Sequence, residues 1–383
     1  MNEIPLSVPS LNADIMDNLK ECIETGWVST GGRFIGEFEK KFAAYTGTSG
    51  AVSVQSGTAG LHLALLAAGV KPGDEVIVPA LTFVAAVNPV KYVFAEPVFM
   101  DCDDGLCMDS VKLGNFLEQN CIRKPEGLIN KLTKKKITAI MVVHVFGNGA
   151  DMERIMAAAG RYGLPVIEDA TEALGTYYTK GLHEGMFAGT IGDMGVYSFN
   201  ANKIITTGGG GMVVSKSAGA LEKVRYLSLT AKDDALYFVH DEVGYNYRML
   251  NIQAALGVSQ MDELESFIAV KKKNYMLYKK LTEGKKGIAV LPFDAGVRPN
   301  YWFYSILVDE REYGADRDGL MKRLLERNIQ CRPVWKLINT QKPYLKHLSV
   351  DVAKAEYYAA NVLNVPCSVN LKDEQIQYIC DTL

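Results

Sequence analysis

The chain has 383 residues, 48% of them apolar and 22% charged, enough to bury one large core or two ordinary ones. Its 41 lysines and arginines against 44 aspartates and glutamates leave a net charge of −3, without the basic excess expected of a nucleic-acid binder. No run reaches the roughly 18 apolar residues of a membrane span, and the start Met1-Asn-Glu-Ile-Pro5 has no basic segment followed by an apolar one, so a cytoplasmic protein is expected.

The first clear element is a strand at Ala51-Val-Ser-Val54, followed by a helix from Thr58 to Gly69 and the turn Lys71-Pro-Gly-Asp74. Further strands are predicted at Glu75-Val-Ile-Val78, Pro97-Val-Phe-Met100, Ile137 to Val143 and Leu164-Pro-Val-Ile167. Helices are predicted between them, over Phe83 to Tyr92, Asp109 to Cys121 and Asp151 to Tyr162. Strands alternating with helices imply a mostly parallel sheet with helices on both faces, and apolar runs without in/out alternation fit strands buried on both sides. After about residue 265 the texture changes. Lys271-Lys-Lys273 is expected to open a long helix reaching Gly284, with the lysines on its solvated face. A strand over Trp302 to Val308 and helices over Asp316 to Arg327 and Lys372 to Thr382 complete a smaller α+β unit. The expected division is a large domain of residues 1–270, with an N-terminal arm over 1–30, and a small domain of residues 271–383.

Seven cysteines, an odd number with no Cys-x-x-Cys pair, argue against a disulfide framework and against zinc. The five histidines are too scattered for a metal site, and no metal is expected.

Ligands of open α/β sheets bind beyond the carboxyl ends of the strands, so the loops there carry the functional candidates. In Gln55-Ser-Gly-Thr58 small residues open a helix; the segment is either a phosphate cradle or an ordinary N-cap. It has neither the lysine of a P-loop nor the three glycines of a dinucleotide fingerprint. In Val166-Ile-Glu-Asp-Ala-Thr-Glu172 acids follow a buried strand; Asp169 could meet a ligand cation or a metal, or cap a helix. In Gly195 to Gly211 a lysine, Lys203, stands between a strand and four glycines. Desolvated in a pocket it could serve as a nucleophilic amine; exposed, it is a surface lysine before a flexible loop. Ser198 could offer a hydroxyl to a phosphate. A phosphate cradle, a strand-end acid and a lysine near glycines are together the three handles of pyridoxal phosphate.

Ser56-Gly-Thr-Ala-Gly-Leu-His62, Pro72-Gly-Asp-Glu-Val-Ile-Val-Pro79, Glu168-Asp-Ala-Thr-Glu-Ala-Leu-Gly175 and Tyr197-Ser-Phe-Asn-Ala-Asn-Lys203 resemble the fold-type I pyridoxal phosphate sugar aminotransferases named for DegT, DnrJ, EryC and StrS. The resemblance runs from Gly26-Trp-Val-Ser29 to Arg332-Pro-Val-Trp-Lys336. Asn200 to Met212, with Ala231-Lys-Asp-Asp234 and Gly244 to Arg248, is most similar to the subgroup that aminates C4 of UDP-4-keto-6-deoxy-N-acetylglucosamine for bacillosamine and legionaminic acid. Many relatives carry Gly-Glu-Gly-Gly where this chain has Gly208-Gly-Gly-Gly211, a change that could shift substrate preference.

The resemblance implies a cytoplasmic homodimer with shared active sites, using L-glutamate and a nucleotide-linked keto sugar in a ping-pong reaction. Lys203 would be the Schiff-base lysine and proton shuttle, and Asp169 the partner of the pyridine nitrogen. Glu172 would lie near the ring hydroxyl. Gly57, Thr58 and Ser198 would hold the phosphate, Phe83 would stack on the ring, and Asn246 would reach the neighbouring subunit's phosphate. The sugar nucleotide would touch Trp27, Ser29, His144, His183, Arg248, Arg332 and Trp335. The bland alternatives are core roles for Phe83 and His62, a turn for Asn246 and a surface ion pair for Arg332. Competing functions are the same chemistry on a dTDP- or GDP-linked sugar at C3 or C4, a desulfurase or lyase, a non-catalytic regulator, and a dehydrogenase. No cysteine lies in the candidate loops and no dinucleotide fingerprint is present. A dehydratase branch replaces the lysine with histidine, so Lys203 favours transamination.

Overall fold

The computed structural model describes residues 3–12, 14–234 and 236–383, so residues 1, 2 and 13 of the expected arm lie outside the described residues. The main sheet orders its strands Ala51–Val54, Gly211–Ser215, Met194–Ser198, Val166–Asp169, Lys136–Val143, Glu75–Pro79, Glu96–Met100 and Ser349–Val350. The run from Met194–Ser198 to Ser349–Val350 is parallel throughout. Gly211–Ser215 is antiparallel to both its neighbours, which leaves Ala51–Val54 pointing the same way as the parallel run. Seven strand ends, after Val54, Pro79, Met100, Val143, Asp169, Ser198 and Val350, therefore open on one edge of the sheet.

Helices cover the faces. Several begin with a short polar side chain that accepts from the first turn. Ser56 Oγ accepts from the Ala59 amide at 3.0 Å, Asp109 Oδ1 from Val111 and Lys112 at 2.9 Å, and Asp151 Oδ1 from Arg154 at 3.2 Å. The predicted strands and helices up to residue 162 fall within two residues of those observed; the strand expected at Leu164 starts instead at Val166 and ends on Asp169 itself.

The later half departs from expectation. The helix expected to open at Lys271 runs from Asn251 to Thr282, so position 270 falls inside it. Its Lys271 is buried rather than solvated, with Nζ donating to the carbonyls of Trp302 and Cys367. Beyond it a four-stranded antiparallel sheet orders Ile288–Val290, Tyr304–Val308, Val362–Val365 and Arg332–Pro333. The N-terminal segment joins this part, as Ile4 exchanges backbone hydrogen bonds with Asn328 and Gln330. One later segment, Ser349–Val350, returns to extend the main sheet beside Phe99 and Met100. All seven cysteines are buried and unpaired.

One buried charge cluster ties the first strand to its surroundings. Glu39, on the helix Arg33–Thr46, accepts from the Ser53 amide at 2.7 Å and its hydroxyl at 2.9 Å, and from Arg248 Nη1 at 2.6 Å. Arg225 adds a weaker contact to the other oxygen at 3.2 Å. Removing one partner of a buried pair leaves the other charge stranded. Glu39→Ala is expected to destabilise the fold by about 3–5 kcal/mol. Denaturant unfolding measures it, and a loss below about 1 kcal/mol, the range of an exposed pair, would contradict the role given to this cluster.

Candidate active site

At the common strand edge lies a cleft of about 620 Å³. Gly57, Thr58, Phe83, Asp169, Glu172, Ser198, Lys203, Arg332 and Trp335 all line it, nine of the fifteen residues singled out in the sequence. The backbone explains why they converge. Gly57 and Thr58 open a helix whose first amides have no intrahelical partner. A Cβ at Gly57 would stand 2.7 Å from Thr171 Cγ2 and 3.1 Å from Ser198 Cβ, so only glycine fits between those walls. The glycine run serves the same place: Gly210 bridges to Ser56, and a Cβ on Gly211 would meet the Ser56 carbonyl carbon at 2.7 Å. These glycines let the lysine loop pass the backbone of the cradle, a tighter role than clearance for a cofactor.

Asp169 ends its strand and is buried; the Thr171 amide donates to Oδ1 at 3.0 Å. Burial pushes its carboxyl above the usual range, against the pull of Thr171 and Lys203. Among the described residues no cationic side chain forms an ion pair with it, so a cation supplied by a ligand would complete it. Lys203 Nζ lies 3.7 Å from Glu172 Oε1 and 4.0 Å from the centre of the Trp302 ring. Glu172 is held by the Phe146 amide, which donates to Oε2 at 2.8 Å. Burial lifts the Glu172 carboxyl to about 7 and lowers the Lys203 amine, bringing the two toward the matched condition for proton exchange near neutrality. An anion cradle, an unmatched strand-end acid and a desolvated amine, all facing one cavity, fit pyridoxal phosphate by chemistry and spacing.

Six of the sequence candidates lie elsewhere. His144 is fully buried beneath the cleft, its Nδ1 accepting from the Ala150 amide at 3.2 Å, which leaves Nε2–H to donate to Glu168 at 2.8 Å. It supports the strand end and does not line the cleft. Arg248 is spent on Glu39 and on the Ser53 carbonyl at 3.1 Å. His183 lines a separate depression of about 810 Å³ that holds none of the cradle, Asp169 or Lys203. That depression is larger than the cleft, but Gly57, Thr58, Asp169, Glu172 and Lys203 all line the smaller one. Trp27 and Ser29 are exposed, their carbonyls capped by Asn251 at 2.7 Å each, and Asn246 is exposed, its backbone bridged to Leu229. Phe83 is half exposed at the cleft mouth, 6.4 Å from the Trp335 ring. His62 is a core residue packed among Tyr92, Tyr245 and Tyr247, as the bland reading held. Sequence reasoning missed Phe146, Asn300 and Trp302. The run Asn300-Tyr-Trp-Phe303 carried the only signal, an aromatic cluster that reads as the start of a strand.

The cradle makes a direct prediction. Gly57→Ala is expected to weaken pyridoxal phosphate binding by at least about tenfold while leaving the fold intact, since the new methyl group must displace Thr171 or Ser198. Titration of the cofactor-free protein, followed by absorbance, measures this, and unchanged affinity would remove Gly57 from the cradle.

The chain's residues 9–383 match the model of the DegT/DnrJ/EryC1/StrS aminotransferase family. It is 37% identical over 383 residues to a GDP-perosamine synthase of Escherichia coli O157:H7, covering 100% of this chain and 98% of the relative. A GDP-perosamine synthase of Caulobacter vibrioides is also 37% identical, covering 100% of this chain and 99% of the relative. Among solved structures, the sugar aminotransferase-like Spr1654 of Streptococcus pneumoniae in its PLP form superposes with a TM-score of 0.86 at 25% identity, over 99% of this chain and 97% of that one. With its fold, its cleft and its sequence in agreement along the whole length, this chain belongs to the DegT/DnrJ/EryC1/StrS family and is a pyridoxal phosphate-dependent aminotransferase of nucleotide sugars.

Proposed function

We propose that the enzyme moves an amino group from L-glutamate to C4 of a nucleotide-linked 4-keto-6-deoxy sugar, as a cytoplasmic homodimer whose active sites are shared. The observation that carries the reading is the largely buried Lys203 amine, its side chain 13% exposed, set beside Glu172 in a cleft with a helix N-terminus and Asp169 on its walls. Similarity to GDP-perosamine synthases supports a GDP-linked acceptor. The likeness of Asn200 to Met212 to enzymes acting on UDP-4-keto-6-deoxy-N-acetylglucosamine supports that sugar as the second reading. Asn246 is exposed in the single chain, as a residue offered to a partner's site must be.

When bound, pyridoxal phosphate supplies an electron sink and a carrier for the amino group. The residues around it divide the remaining tasks. The first amides of the helix at Gly57 and Thr58, with the Ser198 hydroxyl, would hold the phosphate. Asp169, buried and negatively charged once matched by a cation, would keep the pyridine nitrogen protonated. Lys203 moves a proton at Nζ, and Glu172, close by and tuned near neutrality, sets whether that amine is charged. Phe83, Trp335 and Phe146 exclude water from the cavity walls.

Two measurements test this reading. Lys203→Ala should abolish turnover, and Asp169→Asn, which preserves shape and removes charge, should cost about 10²–10³-fold in kcat. Near-normal rates in either variant would remove that residue from its role. Supplied with L-glutamate, the yellow enzyme should lose its aldehyde-form absorbance, and the keto sugar that restores it fastest identifies the acceptor. Faster recovery with the GDP-linked than with the UDP-linked or dTDP-linked keto sugar is expected; the reverse order would favour the second reading.

A further inference from the structure

The cleft contains an indole to which the reaction as described gives no task. Trp302 is 3% exposed, and its ring lies against Lys203 with Nζ 4.0 Å from the centroid. Three further contacts fix it. Its Nε1–H donates to the carbonyl of Asn202, the residue before Lys203, at 2.7 Å. Its amide donates to Asn300 Oδ1 at 2.9 Å, and its carbonyl accepts from Lys271 Nζ at 3.1 Å. Asn300, fully buried, also donates to the carbonyls of Glu172 at 2.8 Å and Leu174 at 2.9 Å. One side-chain amide thus sets both the loop that bears Glu172 and the backbone that bears the indole. Between them, Tyr301 adopts a φ of 56°, a left-handed conformation that a tyrosine keeps only where its surroundings impose it.

One hydrogen bond on the ring itself and two on the backbone that carries it hold the indole against the amine. An aromatic face attracts a cation through its quadrupole, most strongly for an indole and most of all away from water. We propose that Trp302 is a positioning residue whose indole face seats the Lys203 amine while that amine is not bonded to the cofactor. The inference rests on the role proposed above for Lys203. Glu172 can take the proton of that amine and the ring cannot, so the carboxylate exchanges its proton while the indole face holds the ammonium form in place and thereby favours it. Of the charged groups around it, Glu172 and Asp169 favour the ammonium form, Arg332 and Lys336 line the same cleft, and Lys271 stands behind the indole. Burial opposes the charge, and an aromatic face against the amine works the other way.

The test reads the amine itself rather than turnover. The enzyme is loaded with pyridoxamine phosphate, which cannot bond to the lysine. Lys203 is then acetylated with acetic anhydride across a range of pH, and its peptide is quantified by mass spectrometry. Tryptophans carrying one, two and three fluorines are placed at position 302, because fluorine drains the ring of π-density and hardly alters its shape. The labelling midpoint should move stepwise to lower pH, by about one pH unit over the series, the worth of a desolvated cation–π contact. An unchanged midpoint overturns the proposal. Trp302→Phe serves as an independent variant: its weaker face should lower the midpoint, and a midpoint at or above that of the natural enzyme overturns the proposal as well. Failure of the Lys203 role itself is a separate result, read as undiminished turnover in Lys203→Ala.

Discussion

The carboxylate of Glu168 is the contact on which the catalytic edge depends. It has no exposure to water, and four donors converge on it: the amides of Gly189, Ile191 and Gly192, and Nε2–H of His144. Burial alone would raise this acid, but His144 and the surrounding amides outweigh it and hold the carboxyl below its usual range. A buried charge satisfied in this way is costly to disturb. It therefore locks the last residues of the central strand against two loops, and the next residue along the chain is Asp169. The His144 amide also donates to the Asp169 carbonyl at 3.1 Å, so the acid expected to face the cofactor is framed from both sides before any ligand arrives.

The same logic of buried polar groups explains what could be read in advance. The predicted strands before residue 170 announce themselves as largely apolar runs, whereas the hairpin Cys121–Lys124 and Gly127–Asn130 carries no such run and was not foreseen, and several helices carry capping side chains such as Ser56, Asp109 and Asp151. Those signals are local. Because parallel strands bring their carboxyl ends together, Gly57, Asp169, Ser198 and Lys203 could be grouped from loop position alone. What eluded the sequence was every role defined by a distant partner. Arg248 in Gly244-Tyr-Asn-Tyr-Arg248 has the look of a ligand-binding cation, yet it answers Glu39, more than two hundred residues away. His144 follows a strand as a substrate-binding residue would, and is turned inward by Glu168 instead. Lys271 stands in a run of three lysines and is nonetheless the buried one, since only it meets the carbonyls of Trp302 and Cys367.

The long helix illustrates a different limit. From Asn251 to Thr282 it is apolar on several sides, because the helices Ile15–Thr25, Arg33–Thr46 and Asp373–Thr382 pack around it. A helix covered by protein on many sides does not display the single stripe by which an amphipathic helix is recognised, and only its charged second half stood out. Trp302 was hidden for a related reason. An aromatic residue at the head of a strand signals core packing, and nothing in its neighbours reveals that its face meets an amine contributed by a loop a hundred residues earlier.

The short strand Ser349–Val350 bears on how the molecule can move. It belongs by sequence to the C-terminal part, yet it extends the main sheet beside Phe99, whose amide donates to the Leu348 carbonyl at 2.8 Å, and nearby the Ile338 amide donates to the Ala80 carbonyl at 3.1 Å. With the long helix as a second tie, the two halves are joined like a door hung on both edges. Swinging one against the other would require breaking sheet hydrogen bonds. Any opening of the cleft by movement of one half against the other would have to break these ties first, whereas side chains at its mouth, such as the half-exposed Phe83, can turn without breaking them.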